Sequence, residues 1–279
     1  MTINCKGKLM DLSQPKIMGI VNLTPDSFYD GGQIANADQL VQKVGKMLED
    51  GATFIDIGGY SSRPGADHVS EDEELHRILP AVNLILKEYP NAYLSIDTFR
   101  SRVATKCLQV GATLINDISA GLLDENMFDV IAKFKVPIIM MHMRGTPQNM
   151  VSKSGYNNIA KDLISYFSER VALANQKQIN DIIIDPGFGF AKKREQNYEL
   201  LSKLKLFEAF EIPILVGLSR KSMIYKTLST NPAEALNGTT ALHMVALMNG
   251  ANILRVHDVK EAKECITLFE ELTACTNSI

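Results

Sequence analysis

The sequence lacks the paired cysteines that mark a disulfide framework or a zinc site. Its four cysteines, at positions 5, 107, 265 and 275, are far apart and form no C-x-x-C motif. Scattered single cysteines are typical of a protein that keeps its thiols reduced. We therefore expect a cytoplasmic protein with neither disulfides nor a structural zinc site.

Long apolar runs and an excess of one charge are also missing. No segment approaches the ~18 consecutive apolar residues that a membrane helix needs. The first residues, MTINCKGKLMDLSQ, lack the apolar core of a signal peptide. With 29 basic and 32 acidic residues the net charge is −3, so no general basic surface is available for nucleic acid. We expect no membrane span and no nucleic-acid partner.

No proline-, serine- or glycine-rich linker and no low-complexity tract divides the 279 residues. Such a length is compatible with two domains of ~100–200 residues or with one α/β barrel of ~250. Because no change of composition marks a boundary, we predict one domain over residues 1–279.

What the sequence does contain is a repeated alternation of short apolar runs, polar or glycine endings, and helix-like segments. Eight apolar runs predict strands, at residues 17–23, 53–57, 92–97, 112–116, 136–141, 182–185, 212–216 and 252–256. Eight strand–helix units in this length predict an α/β fold, a closed (β/α)8 TIM barrel. An open doubly wound sheet is less favoured, because the glycines at 187–189 are not followed by the third glycine of a dinucleotide fingerprint.

Helices and an N-terminal addition complete this prediction. Helices are expected at residues 38–50, 101–110, 125–134 and 232–248. Three more are expected: one that begins at Ser70, a long one that follows residue 156 and ends at about 176, and one after the last strand. The sequence Ser-Glu-Asp-Glu from Ser70 is a capping-box pattern that favours a helix start. Residues 1–16 alternate weakly, and we predict a short hairpin or cap at the bottom of the barrel.

Acidic and amide side chains end three of the predicted strands. They are Asp97, Asn116 and Asp185, and the carboxyl ends of barrel strands form the face where ligands bind. An aminopyrimidinone offers adjacent N–H donors that a carboxylate can accept in pairs. Each residue alone could equally be a helix N-cap or a surface residue, but the three together favour a binding site.

Cationic side chains form a second set, with Lys221, Arg255 and His257 near strand ends and Arg63 and Arg220 in loops. Residues two apart on a strand point the same way, so Arg255 and His257 are predicted to form an anion clamp. Arg220 is expected to be exposed or salt-bridged.

Other strand-end residues suggest contacts but no covalent chemistry. Asn22 is a hard-oxygen donor, and Mg²⁺ commonly combines one or two protein oxygens with substrate phosphates and water. His142 could line the pocket, and Met140 or Met141 could touch a planar ligand. No nucleophile elbow or Ser/His/Asp arrangement is present, so covalent enzyme catalysis is not indicated.

Seven sequence blocks resemble the dihydropteroate synthase family. They run in collinear order between about residues 17 and 260 and read IVNLTPDSF (20–28), DIGG (56–59) with SSRPG (61–65), SIDT (95–98), INDI (115–118), DPGFGF (185–190), GLSRKS (217–222) and RVH (255–257). The resemblance implies a TIM barrel, usually a homodimer, that acts in folate biosynthesis and is a target of sulfonamides. The family joins 4-aminobenzoate to 6-hydroxymethyl-7,8-dihydropterin diphosphate and releases pyrophosphate with Mg²⁺.

The resemblance also implies roles for individual residues. Asn22 would bind Mg²⁺, and Arg255 and His257 would meet the diphosphate. The pterin would be held by Asp97, Asn116, Asp185 and Lys221, with Arg255 stacked on its face. Apart from the resemblance, Met140 and Gly217 are also expected to contact a substrate. The aminobenzoate pocket would be built or bordered by Phe28, Ser62, Arg63, Pro64, Phe190, Lys221 and Ser222. Of these residues, Asp97, Lys221 and Arg63 are expected to be catalytic.

Two residues depart from the family's usual Gly-Gly-Glu-Ser-Thr-Arg-Pro pattern. Tyr60 replaces the acidic residue, and Ser62 replaces threonine but keeps the hydroxyl. Two alternative functions are considered: a methyltetrahydrofolate-binding methyltransferase of the same fold, and a non-catalytic pterin-binding paralogue. The anion clamp argues against the methyltransferase, and the intact polar sets argue against the paralogue.

Overall fold

Ten strands and nine α-helices occupy the residues that the structure, a computed structural model, describes, which are 1–23, 33–60, 69–146 and 154–276. The strands are β1 (Thr2–Cys5), β2 (Lys8–Asp11), β3 (Lys16–Asn22), β4 (Phe54–Gly58), β5 (Tyr93–Asp97), β6 (Leu114–Asp117), β7 (Ile138–Met141), β8 (Ile182–Asp185), β9 (Leu215–Val216) and β10 (Ile253–Val256). The helices are α1 (Gln33–Glu49), α2 (Glu71–Glu88), α3 (Ser101–Gln109), α4 (Met127–Phe134), α5 (Ile159–Gln176), α6 (Arg194–Ser202), α7 (Ser222–Thr227), α8 (Leu236–Met248) and α9 (Val259–Thr276), with a 3-10 helix at Leu204–Phe210.

Strands β3 to β10 form one parallel sheet that closes almost completely into a barrel. The order is β8-β7-β6-β5-β4-β3-β10-β9. The ends of this series meet where Ile184 forms a parallel bridge with Ile214, and Ile184 N donates to the carbonyl of Pro213 at 2.9 Å. The predicted barrel is confirmed, and its seam lies beside the shortest strand, β9.

The predicted N-terminal hairpin is also confirmed. Strands β1 and β2 pair in antiparallel fashion. Their buried side chains, Ile3 and Cys5, together with Leu12, pack against one residue near the start of nearly every barrel strand: Met18, Phe54, Leu114, Ile139, Ile183, Leu215 and Ile253. Because strand starts lie at the bottom of a barrel, the hairpin covers the lower end of the interior.

Alternation along the strands explains how the barrel presents two different surfaces. The strand residues that pack against the hairpin face the barrel interior. The residues one position later, such as Ile55, Ile115 and Ile184, pack in a larger apolar cluster with the surrounding helices. Since side chains alternate between faces, the inner position next along β4, β6 and β8 falls on Asp56, Asn116 and Asp185. The upper interior is therefore polar where the lower interior is apolar.

The helices differ from the prediction at three places. Helix α1 begins at Gln33 rather than at residue 38. The segment between β8 and β9, for which no helix was predicted, contains α6 and the 3-10 helix. Two helices follow β9, where one was expected from residue 232. Asn231 Oδ1 accepts from the backbone of Ala233 at 2.9 Å, a local turn that delays α8 until Leu236.

The predicted start of α2 at Ser70 is confirmed. Ser70 is its N-cap, and its side chain accepts from Glu73 N at 3.2 Å. Within the described ranges, no helix is long and apolar enough to cross a membrane.

Candidate active site

Arg255 joins two acidic strand ends at the mouth of the barrel. Its Nε donates to Asp56 Oδ2 at 2.6 Å, and its Nη2 donates to Asp97 Oδ2 at 2.7 Å. Strand β10 lies beside β3, which pairs with β4, so the guanidinium reaches across the interior. A planar fork with several N–H donors is suited to bridging two carboxylates.

Asn116 extends this network and Asp117 does not. The amide of Asn116 donates to Asp56 Oδ2 at 3.0 Å, whereas the other Asp56 oxygen, Oδ1, is buried without a partner among the described residues. Asp117 points to the other face of β6, where its carboxylate accepts from Ser119 N at 2.8 Å and Gly121 N at 2.6 Å. Asn116 therefore belongs to the mouth, and Asp117 holds a turn behind it.

Asp185 stands at the start of a tight glycine-containing turn. Its Oδ1 accepts from Gly187 N at 2.8 Å. Gly187 has φ +70, and a Cβ there would lie 2.2 Å from the carbonyl oxygen of His142. Only glycine fits this position, because it combines a left-handed backbone with close approach to β7.

Lys221 covers the same turn from the side of β9. Its Nζ donates to the carbonyl of Phe188 and lies 4.9 Å from the centroid of the Phe190 ring. That distance is within the range of a cation–π interaction. Lys221 is thus placed between the acidic strand ends and an aromatic surface.

Burial and neighbouring charges shift the titration of these groups. Burial is the largest influence on Asp97 and raises its pKa to about 7; Arg255 opposes the rise, while Asp56 and Glu74 add to it. Burial also raises the pKa of Asp185, against the effect of Lys221. For Lys221, burial lowers the pKa to about 8, with Asp185 acting in the opposite direction. Perturbed groups of both signs in one cleft are typical of a functional site.

Arg255 is shifted the other way. Burial works against its cation, but the carboxylates of Asp56 and Asp97 outweigh that effect and raise its pKa. The guanidinium remains charged at any pH at which the protein is folded. It can therefore meet an anion without first acquiring a proton.

Arg220 lies after β9 and His257 lies after β10, and the two residues contact different partners. His257 is exposed, and its Nδ1 lies 2.9 Å from Ser219 Oγ. Sequence reasoning did not single out Ser219, which also accepts from His257 N at 3.2 Å. Arg220 makes a two-pronged ion pair with Asp258, with both distances 2.8 Å, which confirms the expectation that it is salt-bridged.

The prediction that Met140 lines the ligand pocket needs correction. Met140 is fully buried in the outer apolar cluster between strands and helices. Met141, the next residue, packs on the inner side with Met143 and Ala191, against which Phe190 also lies. Both faces of β7 are apolar, so the sequence alone did not reveal which methionine points inward.

The remaining predicted residues fall into two groups. Asn22 is exposed at the end of β3, Ser222 is exposed at the start of α7, and Gly217 follows β9. A Cβ on Gly217 would lie 3.7 Å from Lys221 Nζ and 3.9 Å from Arg255 Cβ, so this glycine is in the same mouth. Four predicted residues lie outside the described part of the chain: Phe28, Ser62, Arg63 and Pro64.

Tyr60, which departs from the family pattern, belongs to an aromatic and cationic cluster. Its ring meets Phe99 edge-on, with centroids 5.2 Å apart. The guanidinium carbon of Arg100 lies 5.3 Å from the Tyr60 ring and 5.1 Å from the Phe99 ring. Arg100 also pairs with the buried Glu74 at 2.6 Å and donates to Val69 O at 2.7 Å. Tyr60 is therefore accommodated by an aromatic partner and a cation.

His142 meets a residue that sequence reasoning missed, Lys192. The lysine Nζ lies 3.1 Å from His142 Nδ1 and donates to the carbonyls of Gly187 at 2.8 Å and Phe190 at 3.0 Å. Burial lowers the pKa of His142 well below its ordinary value, and Lys192 and Arg144 act in the same direction. His142 is thus a neutral acceptor beneath the mouth.

The geometry defines what the mouth can bind. Asp97, Asn116 and Asp185 offer carboxylate and amide groups to a donor-rich planar ligand. Arg255, His257 and Lys221 offer positive or donor groups to an anion. The mouth therefore has acceptor groups that can bind a flat heterocycle and cationic or donor groups that can stabilise negative charge.

Comparisons with known proteins agree with this description. Residues 18–257 match the model of a family described as "Pterin binding enzyme". The chain is similar to the dihydropteroate synthase of Escherichia coli K12, with 41% identity over 272 residues that cover 97% of this chain and 96% of the relative. It is also similar to that of Bacillus subtilis 168, with 40% identity over 258 residues covering 92% and 88%.

Solved structures give the same result. A Yersinia pestis dihydropteroate synthase in complex with a sulfonamide drug superposes with a TM-score of 0.91 and 42% identity, covering 98% of this chain and 100% of the other. A Xanthomonas albilineans dihydropteroate synthase with 4-aminobenzoic acid has a TM-score of 0.89 and 35% identity, covering 98% of both chains.

Proposed function

We propose a role for each residue of the mouth from the premise that the chain belongs to the pterin-binding enzyme family, as a dihydropteroate synthase. Its reaction condenses 6-hydroxymethyl-7,8-dihydropterin diphosphate with 4-aminobenzoate in folate biosynthesis. The observation that carries the assignment of roles is the convergence of Asp97, Asn116, Asp185, Lys221 and Arg255 on one interior face.

The pterin is held by the acidic and amide side chains. Asp185 accepts N–H bonds from its aminopyrimidinone edge, and Asn116 and Asp97 complete the grip. Support comes from the inward direction of all three and from the raised pKa values of Asp97 and Asp185, which reflect how poorly solvated these carboxylates are. Adjacent N–H donors would restore the hydrogen bonds that burial removes.

The diphosphate is met by Arg255, which also stacks on the pterin, and by His257. Ser219 fixes the orientation of the His257 ring through its contact with Nδ1 at 2.9 Å. Because Arg255 is already held by two carboxylates, little reorientation is needed when the anion arrives.

The pocket for 4-aminobenzoate is bordered by Lys221, Phe190 and Ser222, with Phe28, Ser62, Arg63 and Pro64 assigned on sequence alone. Phe190 offers an aromatic surface and Lys221 a cation 4.9 Å above it. A flat aryl carboxylate is complementary to such a combination. Met141 rather than Met140 is the methionine that we place beside the ligands.

We propose the following reaction course for these residues. The C–O bond between the pterin methylene and the diphosphate breaks, and its electron pair leaves with the diphosphate towards Arg255 and His257. Asp97, near the resulting pterin cation, stabilises its positive charge. The amine nitrogen of 4-aminobenzoate donates its lone pair to the methylene and then loses a proton to solvent. An aromatic amine is unprotonated at neutral pH, so no strong general base is required.

Mg²⁺ is the metal that we propose, with Asn22 as its protein ligand. The donor chemistry fits, since Asn22 is an oxygen donor exposed at the end of β3 and Mg²⁺ takes most of its ligands from phosphates and water. Asp56 Oδ2 is engaged by Asn116 and Arg255 and its Oδ1 is buried, so we do not assign this residue to the metal. Bound Mg²⁺ would neutralise charge on the departing diphosphate.

Pyrophosphate release tests the reaction and the metal together. We expect release from the pterin diphosphate only when 4-aminobenzoate and Mg²⁺ are both present.

Asp185→Asn should weaken pterin binding, measured by calorimetry, more than it weakens aminobenzoate capture. Ser62→Ala should preferentially raise the Michaelis constant for the aminobenzoate substrate. Unchanged pterin affinity in the first variant, or equal effects on both substrates in the second, would contradict these roles.

We also propose that two copies of the chain form a homodimer. Exposed apolar side chains on the neighbouring helices α8 and α9 support this proposal: Val245, Met248, Leu268 and Leu272. Sedimentation equilibrium should give twice the chain mass of 30.9 kDa. A single-chain mass at micromolar concentration would refute the dimer.

The proposed location is the cytoplasm, and the proposed organisation is a single domain. The unpaired thiols of Cys5, Cys107, Cys265 and Cys275 suit a reducing compartment. The hairpin is tied to the barrel by Asn4 N, which donates to Asp181 Oδ1 at 2.9 Å. Cell fractionation tests the first proposal, and a single cooperative urea transition tests the second.

A further inference from the structure

Two lysine ammonium groups hold the turn that carries Phe190. Lys221 donates to the carbonyl of Phe188, and Lys192 donates to the carbonyls of Gly187 at 2.8 Å and Phe190 at 3.0 Å. Lys221 approaches from the mouth, where the proposed substrates bind. Lys192 has no role in the reaction course given above.

Lys192 also connects this turn to the neighbouring strand. Its Nζ lies 3.4 Å from the carbonyl of His142 and 3.1 Å from His142 Nδ1. All four contacting atoms present lone pairs to a single nitrogen, with Nδ1 as the acceptor of a neutral imidazole. Burial lowers the pKa of Lys192 well below its ordinary value; Lys221 and Arg144 act in the same direction, and Asp185 opposes the shift. The four acceptors nevertheless favour the ammonium, because a neutral amine would turn its own lone pair towards one of them. The ammonium is therefore coordinated by backbone and imidazole in the way that a small bound cation would be.

Hydrogen bonds to the N–H groups of this turn leave the carbonyl of Phe190 to be oriented by Lys192. Gly187 and Gly189 have positive φ values of +70 and +83, so glycine flexibility would allow other conformations. Gly189 N donates to the buried Asn197 Oδ1 at 2.7 Å, and Gly187 N donates to Asp185. The carbonyl of Gly187 accepts from Phe190 N at 3.1 Å as well as from Lys192. The carbonyl of Phe190 accepts from Lys192, which ties the residue that carries the aromatic ring to the rest of the turn.

We propose that Lys192 is a positioning residue of the synthase reaction: its ammonium locks the carbonyls of the 187–190 turn to the end of β7, which fixes the Phe190 ring beneath the Lys221 cation. Burying an ammonium costs free energy unless it is well coordinated. An apolar side chain could fill the same space at less cost, so the cation is explained by the carbonyls that it orients. The proposal rests on the proposed function, because it concerns the binding of 4-aminobenzoate beside Phe190 and Lys221.

Kinetics of Lys192→Ala test the proposal. We expect kcat/KM for the aminobenzoate substrate to fall about 10- to 100-fold, because small misplacements in a catalytic site have effects of this size. The Michaelis constant for the pterin diphosphate should change less, since Asp97 and Asn116 are on other strands and Asp185 belongs to β8 itself, before the turn that Lys192 holds. Lys193→Ala is the matched control, as Lys193 is the exposed neighbour; its kinetics should equal those of the unchanged protein.

Chemical rescue separates positioning from a general effect on folding. Alanine at residue 192 removes a propylammonium-sized group, so added propylammonium should restore activity with saturation. Propanol, of similar shape but uncharged, should not, and neither should an equal concentration of sodium chloride. A merely structural lysine would give a lower unfolding midpoint without selective rescue, and that result would overturn the proposal.

The remaining outcomes are also decisive. Unchanged kinetics in a folded Lys192→Ala variant would overturn the proposal, and so would equal increases in the Michaelis constants for both substrates. If the alanine variant does not fold, Lys192→Gln keeps two N–H donors without the charge and should show the same selective defect. Failure of the unchanged protein to release pyrophosphate would instead refute the proposed function, so the two failures are distinguishable.

Discussion

Arg255 Nη2 donates to Asp97 Oδ2 at 2.7 Å across the mouth of the barrel. The same guanidinium holds Asp56, so one cation balances two acids that lie on neighbouring strands. Asp97 nevertheless has its pKa raised to about 7, because burial outweighs the attraction of Arg255. This carboxyl group is therefore poised to change its charge in response to neighbouring groups or to a ligand.

Removing the charge of Arg255 should raise the pKa of Asp97 further. In Arg255→Met, burial and the charge of Asp56 act on Asp97 without the opposing cation. Asp56→Asn should have the opposite effect, because it removes a negative charge that raises this pKa. Carboxyl ¹³C chemical shifts, assigned with Asp97→Asn, would measure both. Shifts in the same direction for the two variants would contradict the electrostatic account.

The same pKa has a consequence for stability. A carboxyl group whose folded pKa lies above its unfolded value of 3.8 stabilises the fold most fully below that value. This contribution is lost as the pH rises through about 7. Between the unfolded pKa of 3.8 and the folded pKa of about 7, the free energy of unfolding should therefore decline more steeply in the unchanged protein than in Asp97→Asn. Parallel pH profiles from urea unfolding would show that Asp97 does not contribute this dependence.

Binding of the pterin diphosphate should depend on the charge of Lys221, to which the family resemblance assigns a pterin contact as well as the aminobenzoate pocket. Its pKa is lowered to about 8 by burial, so the ammonium form predominates below that pH and the neutral amine above it. We expect calorimetric affinity for the pterin diphosphate to fall as the pH rises past about 8. Lys221→Arg should remove this decline, because arginine stays protonated, and Lys221→Met should bind weakly at all pH values. A decline that persists unchanged in Lys221→Met would assign it to another group.

The barrel and most of the mouth could be predicted because strand endings report on one face. Asp97, Asn116, Asp185 and Arg255 lie at inner strand ends, where the rule that carboxyl ends of barrel strands carry the site led us to look, and their roles stay predictions. Where both faces of a strand are apolar, alternation gives no direction. The sequence therefore could not distinguish Met140 from Met141.

Lys192 and Ser219 were missed for a different reason. A lysine after a glycine-containing turn has the sequence pattern of a solvated loop residue, and a serine has no charge that would single it out. Their importance comes from contacts across the fold, 3.1 Å to His142 Nδ1 for Lys192 and 2.9 Å to His257 Nδ1 for Ser219. Such contacts depend on which strands become neighbours, and no local spacing encodes that.

Asp117 and Asn116 should respond differently to substitution although they are adjacent. Asp117→Asn replaces an acceptor that holds Ser119 N, Ser119 Oγ and Gly121 N. We expect a loss of ~1–3 kcal/mol in the free energy of unfolding, as for a buried hydrogen-bond partner, with little change in pterin affinity. Asn116→Ala should mainly reduce pterin affinity. Urea unfolding and calorimetry on both variants test this, and a pterin defect in Asp117→Asn equal to that of Asn116→Ala would contradict it.

Arg100 should be essential for the stability of the region around Tyr60, because its partner Glu74 is fully buried. The guanidinium lies 2.6 Å from Glu74 Oε2, and the Glu74 side chain has no exposed surface. Arg100→Met should cost ~3–5 kcal/mol by leaving a buried charge unpaired. Glu74→Gln combined with Arg100→Met should recover part of this loss, since it removes the charge.

The pH dependence of that loss provides the decisive measurement. Burial already raises the pKa of Glu74, and Arg100 is one of the groups that oppose the rise, so Arg100→Met should raise it further. A folded pKa above the unfolded value means that stability is retained at low pH and lost as the pH rises. The deficit of Arg100→Met should therefore be larger at about pH 8 than at about pH 5.5, and the double variant should lack this difference. If urea unfolding shows the same deficit at both pH values, the loss comes from packing against Tyr60 and Phe99 rather than from the unpaired carboxylate.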